Sequence, residues 1–223
     1  MAGTAITQPV HRLIPSSFPP IATFAACASL GDLDAVMELE GWTNDRIVAA
    51  RIKRLPRAQW VYGEPCASIV MASFLHARAG RFNEGDLGAW YASSGLEAAV
   101  AAVAHHALGE IMGRGAARGV RVYREYLSEL DGCYEDLRDD PSRPELDPND
   151  HRAGQLWGAK ARAAAYTAAG PHGFVYPAIR YADPGQWNVV ALAPRQIVRC
   201  RQSRHFELHL EVGAPVRVRL LSA

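Results

Sequence analysis

The apolar positions of this chain fall into short runs of unlike period. His11-Arg12-Leu13-Ile14 lies between Pro9 and Pro15 and reads as a short extended strand, because proline fixes its own φ and biases its predecessor away from helix. Ala22 to Leu39 is spaced as one or two short helices broken near Gly31-Asp32. Thr43-Asn44-Asp45-Arg46 carries the side chains of another helix start. Ala67 to His76 is apolar almost throughout and fits a helix or a buried strand. Leu87 to Ala92 reads as a strand. Ser94-Gly95-Leu96-Glu97 has capping-box spacing and opens an alanine-rich helix running to His106 and Leu108. Val120, Val122, Tyr123 and Tyr126 mark a strand over Arg118 to Ser128. Arg152 to Tyr166 reads as a helix stopped near Gly170-Pro171. Gly173 to Pro177 and Trp187 to Ala193 read as core strands, and Phe206 to Val212 with Pro215 to Leu221 as a closing hairpin. Asp131 to Asp150, acidic and proline-rich, reads as a long surface loop. The expected class is α+β: one domain over residues 1–223, with mainly antiparallel strands flanked by helices and a helical extension over about residues 22–60.

Bulk properties narrow the function. A chain of 223 residues can bury a full core as one domain. A net charge of +1 argues against a nucleic-acid surface. No run of about 18 apolar residues is present, so no membrane span is expected. Residues 1–8 hold neither a basic nor an apolar stretch of the secretory kind, so the expected compartment is the cytoplasm. Cys27, Cys66, Cys133 and Cys200 form no Cys-x-x-Cys pair and are expected as free buried thiols. His205 and His209 sit in an expected strand. There they would lie roughly 13 Å apart, at about 3.3 Å per residue, too far to share one metal ion, whereas in a helix the pair could chelate one.

The richest segment is Gly80-Arg81-Phe82-Asn83, followed by Leu87 to Ala92 with Tyr91. Glycine permits close backbone approach, and the arginine offers a planar fork of donors to an anion such as a phosphate. A hairpin with a solvated arginine is the other reading of the same residues.

Four blocks in order resemble the RES-domain family, in particular its longer branch. They are His11 to Ile21, Trp42 to Arg46, Gly80-Arg81-Phe82-Asn83 through Tyr91-Ala92, and Gly173-Phe174-Val175-Tyr176-Pro177-Ala178-Ile179-Arg180. The helix from Leu96 to His106 sits where that family has its glutamate-bearing helix. The resemblance implies an ADP-ribosyltransferase-like fold and a toxin of a type II toxin–antitoxin pair. Such a toxin cleaves NAD+ at the nicotinamide–ribose bond and passes ADP-ribose to phosphate, water or a protein. Its partner would be an antitoxin with a helix-turn-helix domain; no direct nucleic-acid or membrane contact is implied. Edge strands near the C-terminus could also pair across a homodimer.

By position, the resemblance makes Arg12 and Arg81 the arginines that grip the pyrophosphate of NAD+, and Tyr91 the ring or ribose contact. Asn83, Gln155 and Arg180 are further candidates, Arg180 serving equally well as a structural ion-pair residue. The family glutamate falls at Ala102 and the family serine at Ala178, so two of the three name-giving residues are absent. Loss of one such group typically costs around 100- to 1000-fold in rate, because positive charge builds on the ribose as the glycosidic bond breaks. Glu97 lies about 140° around the helix from position 102, whereas His106 shares its face but would repel a cationic sugar if protonated. Two accounts of Ala102 stay open. The family-like flanks, Ala-Val-Ala and Val-Ala, favour a single engineered swap. Ala178 and the altered region near Trp187 favour natural drift to a protein that binds without catalysing.

Overall fold

The computed structural model describes residues 3–17, 24–29, 31–32, 34–35, 54–75, 78–167 and 170–222. Its strands, in chain order, are β1 (Thr4–Ala5), β2 (Val10–Pro15), β3 (Trp90–Ser93), β4 (Arg118–Leu130), β5 (Cys133–Asp136), β6 (Gly173–Pro177), β7 (Trp187–Ala191), β8 (Ile197–Glu211) and β9 (Arg217–Ser222). The fully described α-helices are α1 (Ala67–Leu75), α2 (Leu96–Gly113) and α3 (Arg152–Ala165), and residues 31–32 and 34–35 are also helical. The strands form one mixed sheet in the order β1-β5-β6-β7-β3-β2-β4-β8-β9. Only β5 and β6 run parallel; every other neighbour pair is antiparallel. The α+β class read from the sequence therefore holds.

Side-chain alternation sorts the sheet into two faces. On β2, Val10 and Ile14 pack with Trp90, Tyr126, Val189 and the α1 residues Val70, Met71 and Phe74. Leu13, between them, points the other way, to Tyr123, Phe206 and the α2 residues Ala99, Val100 and Ala104. On β6 and β7, Phe174, Tyr176 and Val190 meet Ala161 and Ala165 of α3 on that same side. So α1 covers one face, and α2 and α3 lie on the opposite face. The halves under α2 and α3 join at β2 and β3, through the one pair His11↔Ser93. The strip of sheet between the two helices, the cleft, carries Tyr91 and meets the turn that holds Arg81.

Several expectations need correction. The acidic stretch 131–150 is not a plain surface loop: it carries β5 and a short 3-10 turn at Pro144–Leu146, with Glu145 and Leu146 buried. Tyr134 and Leu137 in it are almost wholly buried, so its apolar residues outweigh its charge. The capping box at Ser94 does not form. Gly95 is the N-cap residue, and the Ser94 hydroxyl instead bonds Gln186 Oε1 at 2.8 Å and accepts from the Trp187 N–H at 3.0 Å. The run Ala67 to Leu75 resolves as helix, with its apolar residues at helical spacing. The β3 strand begins at Trp90 rather than Leu87. No disulfide joins the four cysteines; Cys27 and Cys200 are buried as expected, whereas Cys66 is half-buried and Cys133 exposed. Most of the expected extension over 22–60, with Trp42 to Arg46, lies outside the described residues. No described helix is long and apolar enough to cross a membrane.

Candidate functional site

The Gly80–Asn83 turn is held from three sides. Asn83 Nδ2 donates to the carbonyls of Arg78, Glu84 and Leu87, at 2.9, 2.8 and 3.2 Å. The Tyr91 hydroxyl donates to Asn83 Oδ1 at 2.8 Å and accepts from the Phe82 N–H at 2.9 Å. Gln155 Nε2, from α3, donates to the Gly80 carbonyl at 2.9 Å. A Cβ on Gly80 would lie 2.7 Å from the Tyr91 oxygen, which explains glycine there. Asn83, Tyr91 and Gln155 thus build one scaffold whose product is the position of Arg81. Burial pushes the Tyr91 phenol up to about 12, against the Phe82 N–H and the charges of Arg162, Arg81 and Arg12 that favour its ionised form.

Two arginines converge at the outer edge of this scaffold. Arg81 Nη1 donates to the Asp147 carbonyl at 2.5 Å, and Arg180 Nη2 donates to the Pro148 carbonyl at 2.8 Å. Adjacent carbonyls therefore tether guanidinium groups from two distant segments. Among the described residues neither arginine has an ion-pair partner. Burial and then the charge of Arg180 weaken the hold of Arg81 on its proton, although Tyr176, Tyr91 and Asp147 oppose the shift. His106 of α2 and His151 at the start of α3 close in from the helix side. Desolvation holds both below the usual imidazole range. Arg180 adds to that at His106; Arg81, His106 and Arg180 add to it at His151. The cleft mouth is thus cationic.

The resemblance puts the family glutamate at Ala102 and the family serine at Ala178. Ala102 is half-buried, on the helix stripe between Ala98 and His106 one turn away on either side. Ala178 is buried two residues past Tyr176, and its N–H bonds the Gln186 carbonyl at 3.2 Å. Glu97 is exposed. Glu125 is a carboxylate on the α2 side of the sheet, yet Arg204 and His11 occupy both of its oxygens.

Arg12 is placed elsewhere. It pairs across the strands with Tyr126, its guanidinium carbon lies 4.5 Å from the Trp90 ring centre, and Nη1 donates to the Tyr91 backbone carbonyl at 2.8 Å. Trp90 and Tyr126 belong to the α1 face, so the Arg12 side chain lies on the opposite side of the sheet from the Tyr91 ring. Strand alternation explains this: within β2, His11 and Leu13 take the cleft face and leave Arg12 the other. Burial lowers its pKa to about 10, and Cys200 and Tyr91 oppose the shift. The arginine beside Arg81 is Arg180. Sequence reading ranked it lower because Ile179-Arg180 follows the strand end, where spacing carries no directional signal. His151 gave no signal at all.

Arg81 and Arg180 thus stand together in an α+β protein, with Asp147 near Arg81, Asp150 near His151 and Glu110 near His106. A family model described as the RES domain matches residues 50–211, which include Arg81, Tyr91, Ala102, Gln155, Ala178 and Arg180 but not Arg12. The chain belongs to the RES-domain family. No curated protein matches it.

Proposed function

We propose that this chain is an NAD+-binding member of the toxin branch of its family, in which Arg81 and Arg180 hold the pyrophosphate. One observation carries the reading: two tethered arginines, neither in a salt bridge among the described residues, come together, with Arg81 beside Tyr91 and Tyr176. A half-buried guanidinium beside an exposed one, both without salt-bridge partners, suits a doubly anionic bridge, which accepts from both forks. His106 and His151, held mostly neutral at neutral pH, add donors without added charge. Tyr91 and Tyr176 offer ring surface and, at the Tyr176 hydroxyl, a polar end.

The reaction of the branch is cleavage of the nicotinamide–ribose bond, with positive charge developing on the sugar. Nothing at position 102 stabilises that charge here, and the carboxylate of Glu125 is engaged by Arg204 and His11. The chain as it stands therefore binds NAD+ and cleaves it slowly. Its partner in this reading is an antitoxin with a helix-turn-helix domain that closes the same cleft. Calorimetry with NAD+ tests the binding: Arg81→Gln and Arg180→Gln should each weaken it about tenfold or more, the scale of a charge-assisted hydrogen bond. Ala102→Glu should then raise nicotinamide release by about 100-fold or more. Absence of NAD+ binding to the unaltered chain overturns the reading. Binding without restored cleavage in Ala102→Glu leaves a dinucleotide-binding module, the reading that Ala178 favours.

A further inference from the structure

The face of the sheet opposite the cleft holds a pair of thiols. Cys200 is buried in the core beneath α1, and Cys66 packs against that core from the residue that opens the helix. The Cys66 carbonyl accepts from the Val70 N–H at 2.9 Å, as the first bond of α1. Two local irregularities bring the pair together. Between Leu127↔Arg201 and Glu129↔Val198 the β4–β8 ladder slips by one residue, so Arg199 and Cys200 both stand opposite Ser128. The extra residue lets Ile197 and Cys200, three positions apart, share the α1 face. Among the described residues, only Cys66 (φ 61°) and Arg199 (φ 46°) occupy the left-handed region without being glycine. Such backbone is costly for a residue with a Cβ and persists only where the surroundings fix it. Both outliers serve one meeting: the Cys66 sulfur accepts from the Cys200 thiol and from the Gln202 N–H.

The two sulfurs are unequal. Cys66 is half-buried, within reach of a small solute, and its two hydrogen bonds favour the thiolate against burial, which brings its pKa to about 7. Cys200 is enclosed and keeps its proton while it donates to Cys66. The charge of Arg12 acts on Cys200 in the opposite sense. Arg12 is in no salt bridge among the described residues, so its charge is available to a Cys200 thiolate once Cys66 no longer takes that hydrogen bond. The remaining cysteines are placed apart in chemistry or in space. Cys27 is buried, with its pKa raised by that burial, and Cys133 lies on β5, next to one edge of the sheet.

We propose that Cys66 and Cys200 form an oxidisable dithiol, a site at which hydrogen peroxide converts Cys66 to the sulfenic acid and Cys200 closes it to a disulfide. In the first step the Cys66 thiolate attacks one peroxide oxygen, the O–O bond breaks, and hydroxide leaves. In the second the Cys200 sulfur attacks the Cys66 sulfur, the S–O bond breaks, and the oxygen departs as water with the Cys200 proton. Two thiols are oxidised by two electrons in all, and one peroxide is reduced to two waters. The product ties the first turn of α1 to β8. It uses no group of the cleft and stands whether or not NAD+ binds there.

Peptide mapping of the folded, full chain after a small excess of hydrogen peroxide near neutral pH tests the site, with free thiols alkylated in denaturant afterwards. The Cys66 and Cys200 peptides should be joined, alkylated cysteines should fall from four to two, and dithiothreitol should restore all four. The same dose applied to the chain unfolded in urea should lose the preference, because only the fold brings these two together. In Cys66→Ser, Cys200 should stay a thiol. In Cys200→Ser, at about pH 8.5, near the ordinary thiol pKa, the Cys66 sulfenic acid has no resolving thiol and dimedone should capture it. Three outcomes with the unaltered chain overturn the site, and none depends on a variant folding. They are Cys66 still alkylated at a dose that oxidises Cys133, Cys66 oxidised without linkage to Cys200, and the same linkage yield from the unfolded chain.

Discussion

Arg12 shows what one side chain does once its face is known. It lies flat near Trp90, caps the Tyr91 carbonyl, and has an enclosed Nε without a hydrogen-bond partner. Truncation would remove the cation–π contact and leave that carbonyl unpaired, a cost of about 2–4 kcal/mol. Arg12→Ala should therefore lower the melting temperature by roughly 5–10 °C in a chain of this size, with NAD+ affinity per folded molecule little changed. A loss of affinity at unchanged stability would return Arg12 to the pyrophosphate. Cys66 offers a second residue-scale test. It stands at the start of α1 with φ 61°, its sulfur hydrogen-bonded by the Cys200 thiol, and this bond pulls its pKa down to about 7 against the effect of burial. Cys200 shifts the opposite way. Iodoacetamide near neutral pH should modify Cys66 well ahead of buried Cys27, whose burial raises its pKa, with half-maximal rate near pH 7. Mass mapping of the adducts on Cys66 and Cys27 over time checks this, and Cys200→Ser should move the Cys66 midpoint upward.

At the scale of elements, the placement of Arg81 depends on how closely α3 approaches the Gly80–Asn83 turn. A Cβ on Gly158 would lie 1.9 Å from the Phe82 carbonyl, and one on Gly154 would lie 2.4 Å from the Arg81 carbonyl. The helix can touch this backbone only through glycine. Gly158→Ala should cost about 1–3 kcal/mol through overpacking and, by pushing the turn outward, should weaken NAD+ binding as well. Alanine at Gly109, where a Cβ meets nothing within 4 Å, is the matched control and should be neutral or mildly stabilising. A comparison of melting curves and NAD+ titrations for the two variants decides it. Spacing alone foretold α3 because Arg152 to Tyr166 carries a helical pattern with a glycine-proline stop. It did not foretell that the small residues face the turn. Nor did it place Ser94, since a hydroxyl at capping distance bonded a distant glutamine and a backbone N–H of β7 instead.

For the whole molecule, the cationic cleft makes stability depend on pH. His106, His151 and His105 all titrate below their ordinary value of 6.5 in the folded state, desolvation being the first cause in each. As pH falls through about 6.5 the unfolded chain gains protons before the folded one, so stability drops in that window and is recovered as pH rises. Melting temperature should be lower at about pH 5.5 than at about pH 7.5. Saturating ADP should shrink the difference, because a bound anion favours the protonated imidazoles. His151→Gln should shrink it too, and an unchanged difference in that variant would remove His151 from the cluster. What the sequence by itself determined is local: the α+β alternation, the strands at 10–15 and 173–177, the helices at 96 and 152, and the family likeness in Gly80-Arg81-Phe82-Asn83 and Tyr91. Each depends on neighbours a few positions apart, where period and punctuation act. Tertiary structure alone decided which face each residue of β2 presents, and so removed Arg12 from the cleft and put His11 into it. It alone brought Arg180 to Arg81 and His151 to His106. Strand register and the docking of α2 and α3 on one face set those meetings, and both arise from burial shared across segments far apart in the chain.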